Sequence, residues 1–482
     1  MNVLLVRPGP LERTAKPSGL VTYEPLDLEY TATQIEQFGH CVTVVDLVFE
    51  KMDIEFLVRV HRPQIVLFSS GPALGNLGRD PVSPHAPSSV THTLAARVKA
   101  VNPAIITVVS GDHDDSGPGQ DCHVHIDHVV GANRPEPLIA LVNGETPPAT
   151  GTRPLACAPA FPTRQKTTRY RRHYHAVFHR RCAAVALSRH CPTDCDFQPC
   201  PLVTAGPEEP ARKPAGFTPD PPVTNNRSRC RELDDVVEEI DRIKERNIVL
   251  IDDDFLADRA RVEAFCQLVA DQGLRRNFLV FGRAETIARQ PGTIARLKSV
   301  GLSAVFVDVE PFRPTGPQAR GQGAPVDLNR RALAVLDAQG IVAYGRFAVP
   351  PDWTRGDSRR LTAQLRPFAC LVVSLRPSAP SPATRRADEP ADKSPVAGPP
   401  SNPPPRPDTE GGRPPSNPPP RFARGVVDHH GGERSLVDRS AEIPGSFLPL
   451  NLRPRVHVAA LRRFGLRSWA RVLRALLGRG GS

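Results

Sequence analysis

Long apolar runs and aromatic side chains are scarce in this chain, and we expect no secretion signal in its opening residues. No stretch of about 18 consecutive apolar residues occurs, so we expect no membrane-spanning helix. The opening MNVLLVRPGP has too short an apolar run, and no basic segment or cleavage site, for a secretion signal. Aromatic residues are only 5% and hydrophobic residues 39% of the 482 residues, so part of the chain should be unfolded. We expect a cytoplasmic protein whose cysteines stay reduced.

Proline and arginine are abundant instead. Of the chain's 54 prolines, many follow residue 375, where PPSNPPPR occurs twice, at 399–406 and 414–421. This composition predicts an extended, disordered segment over 378–450. The formal net charge is +11. A basic balance suits nucleic acid or an anionic membrane, but no nucleic-acid motif accompanies it, and we expect no nucleic-acid partner.

Residues 1–145 alternate strand-like apolar runs, such as VLLV and QIVLFSS, with helical patterns such as LEYTATQIEQFG. This alternation predicts an α/β domain with a doubly wound, Rossmann-like parallel sheet. Such sheets bind ligands beyond the carboxyl ends of their strands. The candidate ligand-binding residues at those ends are Pro8, Ser69, Gly71, Gly111, His113 and Gly131. On spacing alone, ordinary turn residues explain these positions as well.

After a basic linker at 146–181, residues 182–377 alternate strands and helices again. Six βα units are too few for an eight-stranded barrel and predict a partial (β/α)6 barrel, open on one side. The last segment, 451–482, carries seven arginines and no acids between residues 455 and 481. Its apolar residues recur at helical spacing, which predicts a basic amphipathic helix. It suits an anionic membrane surface or an acidic partner, and equally a helix that docks on its own protein.

Three cysteines follow the first barrel strand directly: Cys191, Cys195 and Cys200 in HCPTDCDFQPC. Barrel enzymes place their active sites at this end of the strands. Thiolates suit zinc or iron–sulfur clusters, and a structural zinc needs four ligands. The candidates for a fourth ligand are His190, Cys182 and Cys230, none of which makes a CxxC pair. Three cysteines without a clear fourth indicate a cubane cluster with one open iron.

The stretch SRHCPTDCDF resembles the signature of radical S-adenosylmethionine enzymes, whose usual form is C-x3-C-x2-C. Cys191, Cys195 and Phe197 match it. Gln198 stands where the third cysteine belongs, and Cys200 follows two residues later. The resemblance implies that Cys191, Cys195 and Cys200 hold a [4Fe–4S] cluster.

The resemblance continues through the barrel. NIVLIDDDF resembles the family's second strand and turn, with Asp253 in the paired-aspartate position. VGLSAVFVDVEPF resembles the fourth strand and puts Glu310 at the acidic position near S-adenosylmethionine. Arg283 matches a frequent polar position at the end of the third strand.

The N-terminal region resembles the cobalamin-binding domain that precedes many of these barrels. The matching stretches are MNVLLVRPGP, VVSGDHD and VVGANRPEPLIALVNG. No DxHxxG motif is present, so the resemblance does not indicate a histidine as lower cobalt ligand. The combination is similar to the cobalamin-dependent subclass of the family.

The resemblance implies a radical enzyme that uses a [4Fe–4S] cluster, S-adenosylmethionine and cobalamin for methyl transfer or radical modification at an unactivated carbon. It also implies an electron donor such as flavodoxin or ferredoxin. Family members act on lipids, tetrapyrroles, peptides and antibiotics, and the basic terminal helix favours a lipid-like substrate and peripheral membrane contact. Two alternatives stay open: a cluster-less relative that acts as a scaffold, and a zinc-stabilised binding module.

The aspartates, histidines and cysteines outside this motif give weaker indications of a metal site. Of Asp252, Asp253 and Asp254, only two side chains can converge on one ion, and a place near the barrel mouth is their expected role. The linker histidines, His173, His175 and His179, are expected to be solvated. The remaining cysteines of strands and helices, Cys41, Cys182, Cys266 and Cys370, are expected in the core.

Overall fold

The structure of the protein is a computed structural model. It describes residues 1–9, 20–69, 88–110, 125–130, 136–145, 164, 170–188, 230–252, 254–309, 325–349 and 354–377. It also describes 457–458, 460–464, 469–470 and 472–473. Residues Met1–Ala379 and Glu442–Ser482 belong to one compact unit. Within the described part, no helix is long and apolar enough to cross a bilayer.

The strands follow in chain order as β1 (Asn2–Arg7), β2 (Val21–Thr22), β3 (Cys41–Asp46), β4 (Ile65–Ser69), β5 (Ile106–Ser110), β6 (His128–Val130), β7 (His175–Ala176), β8 (His179–Arg180), β9 (Cys182–Val185), β10 (Asn247–Leu250), β11 (Asn277–Arg283), β12 (Leu302–Val309), β13 (Val342–Val349) and β14 (Leu371–Pro377). The helices are α1 (Leu26–Gln37), α2 (Ile54–His61), α3 (Ser88–Val101), α4 (Glu136–Val142), α5 (Leu233–Arg242), α6 (Arg259–Asp271), α7 (Ala284–Arg289), α8 (Pro291–Ser299), α9 (Pro325–Ala338) and α10 (Arg355–Leu365).

The N-terminal region forms a parallel five-stranded sheet in the order β3-β1-β4-β5-β6. Its strands are apolar on both faces because helices cover both. Ile54 and Leu57 of α2 pack on one face, and Leu28 of α1 and Leu138 of α4 pack on the other. The chain reverses its direction of travel across the sheet between β1 and β4, so their carboxyl ends form the switch point where such sheets bind ligands. The α/β class and the parallel sheet agree with the prediction.

The second half forms a parallel six-stranded sheet, β9 to β14, in chain order. All six predicted strands are present. One face packs on helices through residues such as Val185, Val280 and Val307. The other, called the inner face here, carries Ala184, Phe281, Phe306 and Tyr344. The edge formed by the carboxyl ends of β9 to β14 is called the mouth.

In the described part of the chain, the outer edge of β9 has no neighbouring strand and is capped by side chains. The Ala184 N–H donates to Glu24 Oε1 at 2.6 Å, and the Ala184 carbonyl accepts from Arg164 Nη2 at 2.9 Å. One step along the strand, the Ala186 carbonyl accepts from Arg231 Nη1 at 2.9 Å, and the Ala186 N–H contacts Tyr30 Oη at 3.4 Å. Buried backbone groups must find partners, and these side chains supply them.

The capping side chains form one buried ionic network. Arg164 pairs with Glu24 at 2.7 Å, with Glu29, and with Glu239 at 3.2 Å. Arg231 pairs with the other oxygen of Glu239 at 2.8 Å. Because Glu24 and Glu29 belong to the N-terminal region and Glu239 lies on α5, the network connects the two sheets.

Residues 170–180 are not the solvated linker that their composition indicated. They form β7 and β8, which pair antiparallel with each other, and β7 pairs with β2. Tyr174, Val177 and Phe178 are buried. The prediction for His179 was therefore wrong, since this side chain is only 5% exposed. His179 Nε2 contacts Ser303 Oγ at 3.0 Å, and its Nδ1 contacts Tyr344 Oη at 3.1 Å.

The C-terminal segment is helical where it is described and packs on the same inner face. Phe464 stacks on Phe178 with ring centroids 5.0 Å apart, and Ala460 and Val472 are buried beside it. Arg463 donates to the Ser303 carbonyl at 3.0 Å. Ser303 lies at the amino-terminal end of β12, so this part of the segment covers the end of the sheet opposite the mouth.

Candidate functional site

The switch point of the first sheet brings Pro8 and Ser69 to adjacent strand ends. Pro8 is buried beyond β1, and Ser69, which ends β4, donates its hydroxyl hydrogen to Asp27 Oδ2 at 2.8 Å. Burial raises the pKa of Asp27, an effect that the Ser69 hydrogen bond opposes. A Cβ on Gly9 would lie 2.5 Å from the Leu47 backbone, so only glycine fits there. The backbone beside the switch point is thus tightly packed.

A second cluster of polar side chains lies beside the switch point. Arg7 Nε donates to Asp46 Oδ1 at 2.9 Å, and Tyr174 Oη donates to Asp46 Oδ2 at 2.8 Å. The Arg7 guanidinium also lies over the Tyr174 ring at 5.6 Å. The carboxyl ends of β1 and β3 are therefore tied to residues that precede the second sheet. Among the described residues, Asp27 and Ser69 form a hydrogen-bonded polar pair at this edge.

Three charged residues form a row across the inner face near the mouth. Arg283 on β11 lies opposite Asp308 on β12, which lies opposite Arg346 on β13. Arg346 Nε and Asp308 Oδ1 are 2.9 Å apart, and both residues are buried. The row consists of two guanidinium groups and one carboxylate.

An aromatic layer lies directly below this row. Phe281 and Phe306 stack with centroids 4.6 Å apart, and Tyr344 follows at 5.1 Å from Phe306. The Arg346 guanidinium lies 5.2 Å from the centre of the Phe281 ring. This distance allows a cation–π interaction that helps hold the guanidinium in place. The inner face near the mouth thus combines an aromatic layer with two guanidinium groups.

At the mouth, Asp252 contacts the end of β9. Its Oδ1 accepts from the Leu187 N–H at 2.8 Å and the Ser188 N–H at 3.1 Å. Burial raises the pKa of Asp252 to about 6, while these hydrogen bonds and Arg261 act in the opposite direction. The expected place of the Asp252–Asp254 run near the mouth is confirmed for Asp252, although this carboxylate binds backbone.

Most of the predicted site residues lie outside the described residues. These are Gly71, Gly111, His113, Gly131, Cys191, Cys195, Phe197, Cys200, Asp253 and Glu310. Their roles remain predictions. Among the residues that the structure describes, no three histidine, cysteine or acidic side chains cluster as metal ligands.

The structure separates the candidates for a fourth thiol. Cys182 begins β9, at the end opposite the mouth, and its thiol contacts the His179 carbonyl at 3.5 Å. It cannot reach ligands that follow the carboxyl end of the same strand. Cys230 lies at the mouth, paired with Ser188 in an isolated antiparallel bridge.

The predicted core positions of Cys182, Cys266 and Cys370 are confirmed, but Cys41 is exposed. Cys41 begins the edge strand β3, where one side of the strand has no neighbour in the described sheet.

Sequence reasoning missed Asp27, Arg231, Arg261 and Arg346. Arg346 carried a detectable signal, because arginine inside the otherwise apolar run IVAYGRFAV is unusual for a strand buried on both faces. Asp27 lies just before the predicted helix start. Only the fold brings Arg231 and Arg261 to the end of β9.

Known proteins similar to this chain were found both by sequence and by structure. The chain is 26% identical over 378 residues to the hopanoid C-3 methylase of Methylococcus capsulatus, covering 74% of this chain and 66% of that protein. Solved structures of the cobalamin-dependent S-adenosylmethionine radical enzyme OxsB match with a TM-score of 0.49 and 12% identity when aqua-cobalamin is bound. That match covers 78% of this chain and 53% of OxsB. With both aqua-cobalamin and S-adenosylmethionine bound, the TM-score is 0.47. No protein-family model matches the chain.

Proposed function

We propose that the chain is a member of the cobalamin-binding radical S-adenosylmethionine protein family and acts as a cobalamin-dependent radical methyltransferase on an unactivated carbon. One observation carries the proposal. The 26% identity extends over 378 residues, which is longer than the part of the chain that carries either sheet alone. The chain spans about two thirds of that relative's length. For this reason, the activity of the present chain is stated as a proposal.

A [4Fe–4S] cluster, S-adenosylmethionine and cobalamin would supply radical generation and the methyl group when bound. In this proposal, Cys191, Cys195 and Cys200 provide the thiolates. The ends of the segment that carries them, Ser188 and Cys230, lie together at the mouth, which suits a cluster there.

The charged row suits S-adenosylmethionine, which has a carboxylate at one end. Arg283 and Arg346 provide two guanidinium groups at the mouth, and Asp308 keeps one of them oriented. Phe281 and Phe306 would form an apolar floor that excludes water from the reacting atoms. Asp253 and Glu310 would add polar contacts from the ends of neighbouring strands.

The carboxyl edge of the first sheet is the proposed cobalamin site. The strand order and the switch point between β1 and β4 suit a large cofactor at this edge. Ser69 and Asp27 would contact it from the described residues, with Pro8 beside them. Gly71, Gly111, His113 and Gly131 are the further proposed contacts.

A lipid-like small molecule is the proposed substrate class, by analogy with the hopanoid C-3 methylase. An electron donor such as flavodoxin or ferredoxin would deliver the single electron, in a cytoplasmic setting that keeps the thiols reduced. Membrane contact through the C-terminal segment stays a prediction. Its exposed Val458 and Leu461 could meet a bilayer, while Arg463 of the same segment contacts the end opposite the mouth. Such contact would therefore not bring a lipid to the mouth directly.

The test is turnover of S-adenosylmethionine by anaerobically reconstituted protein. Formation of 5′-deoxyadenosine with a chemical reductant, together with cobalamin retained through gel filtration and seen in the visible spectrum, would support the proposal. An Arg346→Met variant should retain the cobalamin spectrum and lose most of the turnover. Absence of 5′-deoxyadenosine from a protein that carries a full cluster would contradict the proposal.

A further inference from the structure

The two ends of the segment 189–229, called the cysteine segment here, are held next to each other. Ser188, just before it, forms an antiparallel bridge with Cys230, just after it. The Arg231 N–H donates to the Leu187 carbonyl at 2.8 Å. The segment therefore leaves the mouth and returns to it at one point, beside the carboxyl end of β9.

Two oppositely charged side chains hold this point from the same side of the sheet. Asp252 Oδ1 accepts from the N–H groups of Leu187 and Ser188. Arg261 Nη2 donates to the Arg231 carbonyl at 2.7 Å and to the Leu187 carbonyl at 3.3 Å. The carboxylate thus accepts from the N–H groups of the first chain end, and the guanidinium donates to one carbonyl of each end. Hydrogen bonds to charged groups are stronger than neutral ones.

Local structure fixes both side chains before any ligand binds. Asp252 follows β10 directly and is buried. Arg261 lies in the first turn of α6, whose start is capped by Asp258: the Asp258 side chain accepts from the Arg261 N–H at 3.0 Å. A capped helix start holds the arginine in register with the chain ends.

We propose that Asp252 and Arg261 are positioning residues that fix both ends of the cysteine segment and so bring its thiolates to the mouth for cluster assembly. This rests on the proposed function, because it presumes that the segment binds a cluster. Bringing the two ends of a chain segment together costs conformational entropy, and the contact between Ser188 and Cys230 meets that cost in the folded protein before a cluster assembles. Hydrogen bonds and solvent exposure near a cluster also tune its reduction potential.

The experiment compares full-length variants in two readouts. Asp252→Ala removes the acceptor, Asp252→Asn keeps an oxygen at the same place without the charge, and Arg261→Ala removes the donor. Asp127→Ala is the matched control, because Asp127 also accepts a backbone N–H, from Thr107 at 2.7 Å, at the far edge of the other sheet. Hydrogen exchange of peptides around 187 and 231 is measured without metal. Iron content, the electron paramagnetic resonance of the reduced cluster and its potential are measured after anaerobic reconstitution.

We expect exchange near Leu187 and Ser188 to rise roughly tenfold in Asp252→Ala, as for loss of a buried hydrogen bond. Iron per chain should fall to about half or less, or the potential should shift, with Asp252→Asn closer to wild type. The control should match wild type in both readouts.

Unchanged exchange in Asp252→Ala and Arg261→Ala would overturn the proposal. So would faster exchange with wild-type iron content, resonance and potential, since the contacts would then be structural only. If wild type binds no iron while exchange responds as expected, the cluster itself is contradicted. The proposed function and the positioning role would then both be wrong. The hydrogen bonds of Asp252 and Arg261 to the chain ends would still be confirmed by the exchange data.

Discussion

The Glu24 carboxylate accepts a hydrogen bond from the backbone N–H of Ala184 at 2.6 Å, although the two residues lie 160 positions apart. This contact caps the open edge of the second sheet with a side chain from the segment that precedes α1. Unpaired strand edges invite association with other chains, and capping from within the same chain prevents it. The capped strand, β9, also leads directly into the cysteine segment, so the edge and the proposed cluster site depend on the same support.

Arg164 is the centre of this support, and its removal should be costly. In Arg164→Ala, three buried carboxylates, Glu24, Glu29 and Glu239, lose a shared partner. Breaking a buried ion pair from one side typically costs about 3–5 kcal/mol. We expect a loss of this size in the free energy of unfolding, measured by urea denaturation with circular dichroism.

Arg242→Ala is the control for this prediction. Arg242 pairs with Glu238 one helical turn away, and both side chains are largely exposed. Such a pair contributes roughly 0.3–0.5 kcal/mol. Equal losses in the two variants would contradict the central role of Arg164.

Asp252 should make stability depend on pH in a defined direction. Burial raises its pKa from 3.8 to about 6, so between these values the folded chain binds more protons than the unfolded chain. Its contribution to stability is full below the unfolded pKa and is lost as pH rises through about 6. At 1.36 kcal/mol per pKa unit, the loss is up to about 3 kcal/mol.

Asp252→Asn cannot ionise and should lack this loss. Relative to wild type, its free energy of unfolding should therefore rise between pH 4 and about 7. Asp271→Asn, on the exposed end of α6, serves as the comparison and should follow the wild-type pH profile. A constant difference in the free energy of unfolding between Asp252→Asn and wild type over this range would contradict the raised pKa of Asp252.

Phe464 should stabilise the second sheet rather than a membrane contact. It stacks on Phe178 and lies 5.0 Å from the His179 ring. Truncation to alanine removes these contacts from a partly buried side chain, at a cost of about 1–3 kcal/mol. Leu461→Ala, which changes an exposed side chain of the same segment, should cost less than about 0.5 kcal/mol. Thermal unfolding of both variants tests this, and similar melting temperatures would argue against docking.

The buried Arg346–Asp308 pair should support binding of S-adenosylmethionine. Arg346→Met keeps an apolar side chain of similar length and removes the guanidinium that lies over Phe281, so affinity should fall roughly tenfold for a lost charged hydrogen bond. Equilibrium dialysis against labelled S-adenosylmethionine measures this directly. Arg289→Met, an exposed arginine paired with Glu285, should bind like wild type. Unchanged affinity in Arg346→Met would remove the charged row from the proposed site.

The sequence predicted the regular elements well because their apolar periodicity is local. The runs NFLVFGR and SAVFVDVE coincide with β11 and β12 to within a residue or two. Prediction from the sequence failed where contacts between residues far apart in the chain determine which side chains are buried. The basic composition of residues 164–180 indicated a solvated linker, but Arg164 is buried by carboxylates far away in sequence and His179 by Tyr344. Asp252 was expected at the mouth, yet its bonds to Leu187 and Ser188 needed the fold.

The most direct test of the account is iron and sulfide quantitation with a visible spectrum on anaerobically purified wild type and Cys200→Ala. About four irons per chain in wild type, as a [4Fe–4S] cluster requires, and their loss in Cys200→Ala are the predicted results. They would show that C-x3-C-x4-C holds a cluster and that Gln198 is bypassed. No iron in wild type, even after reconstitution, would contradict the account and favour a cluster-less binding protein.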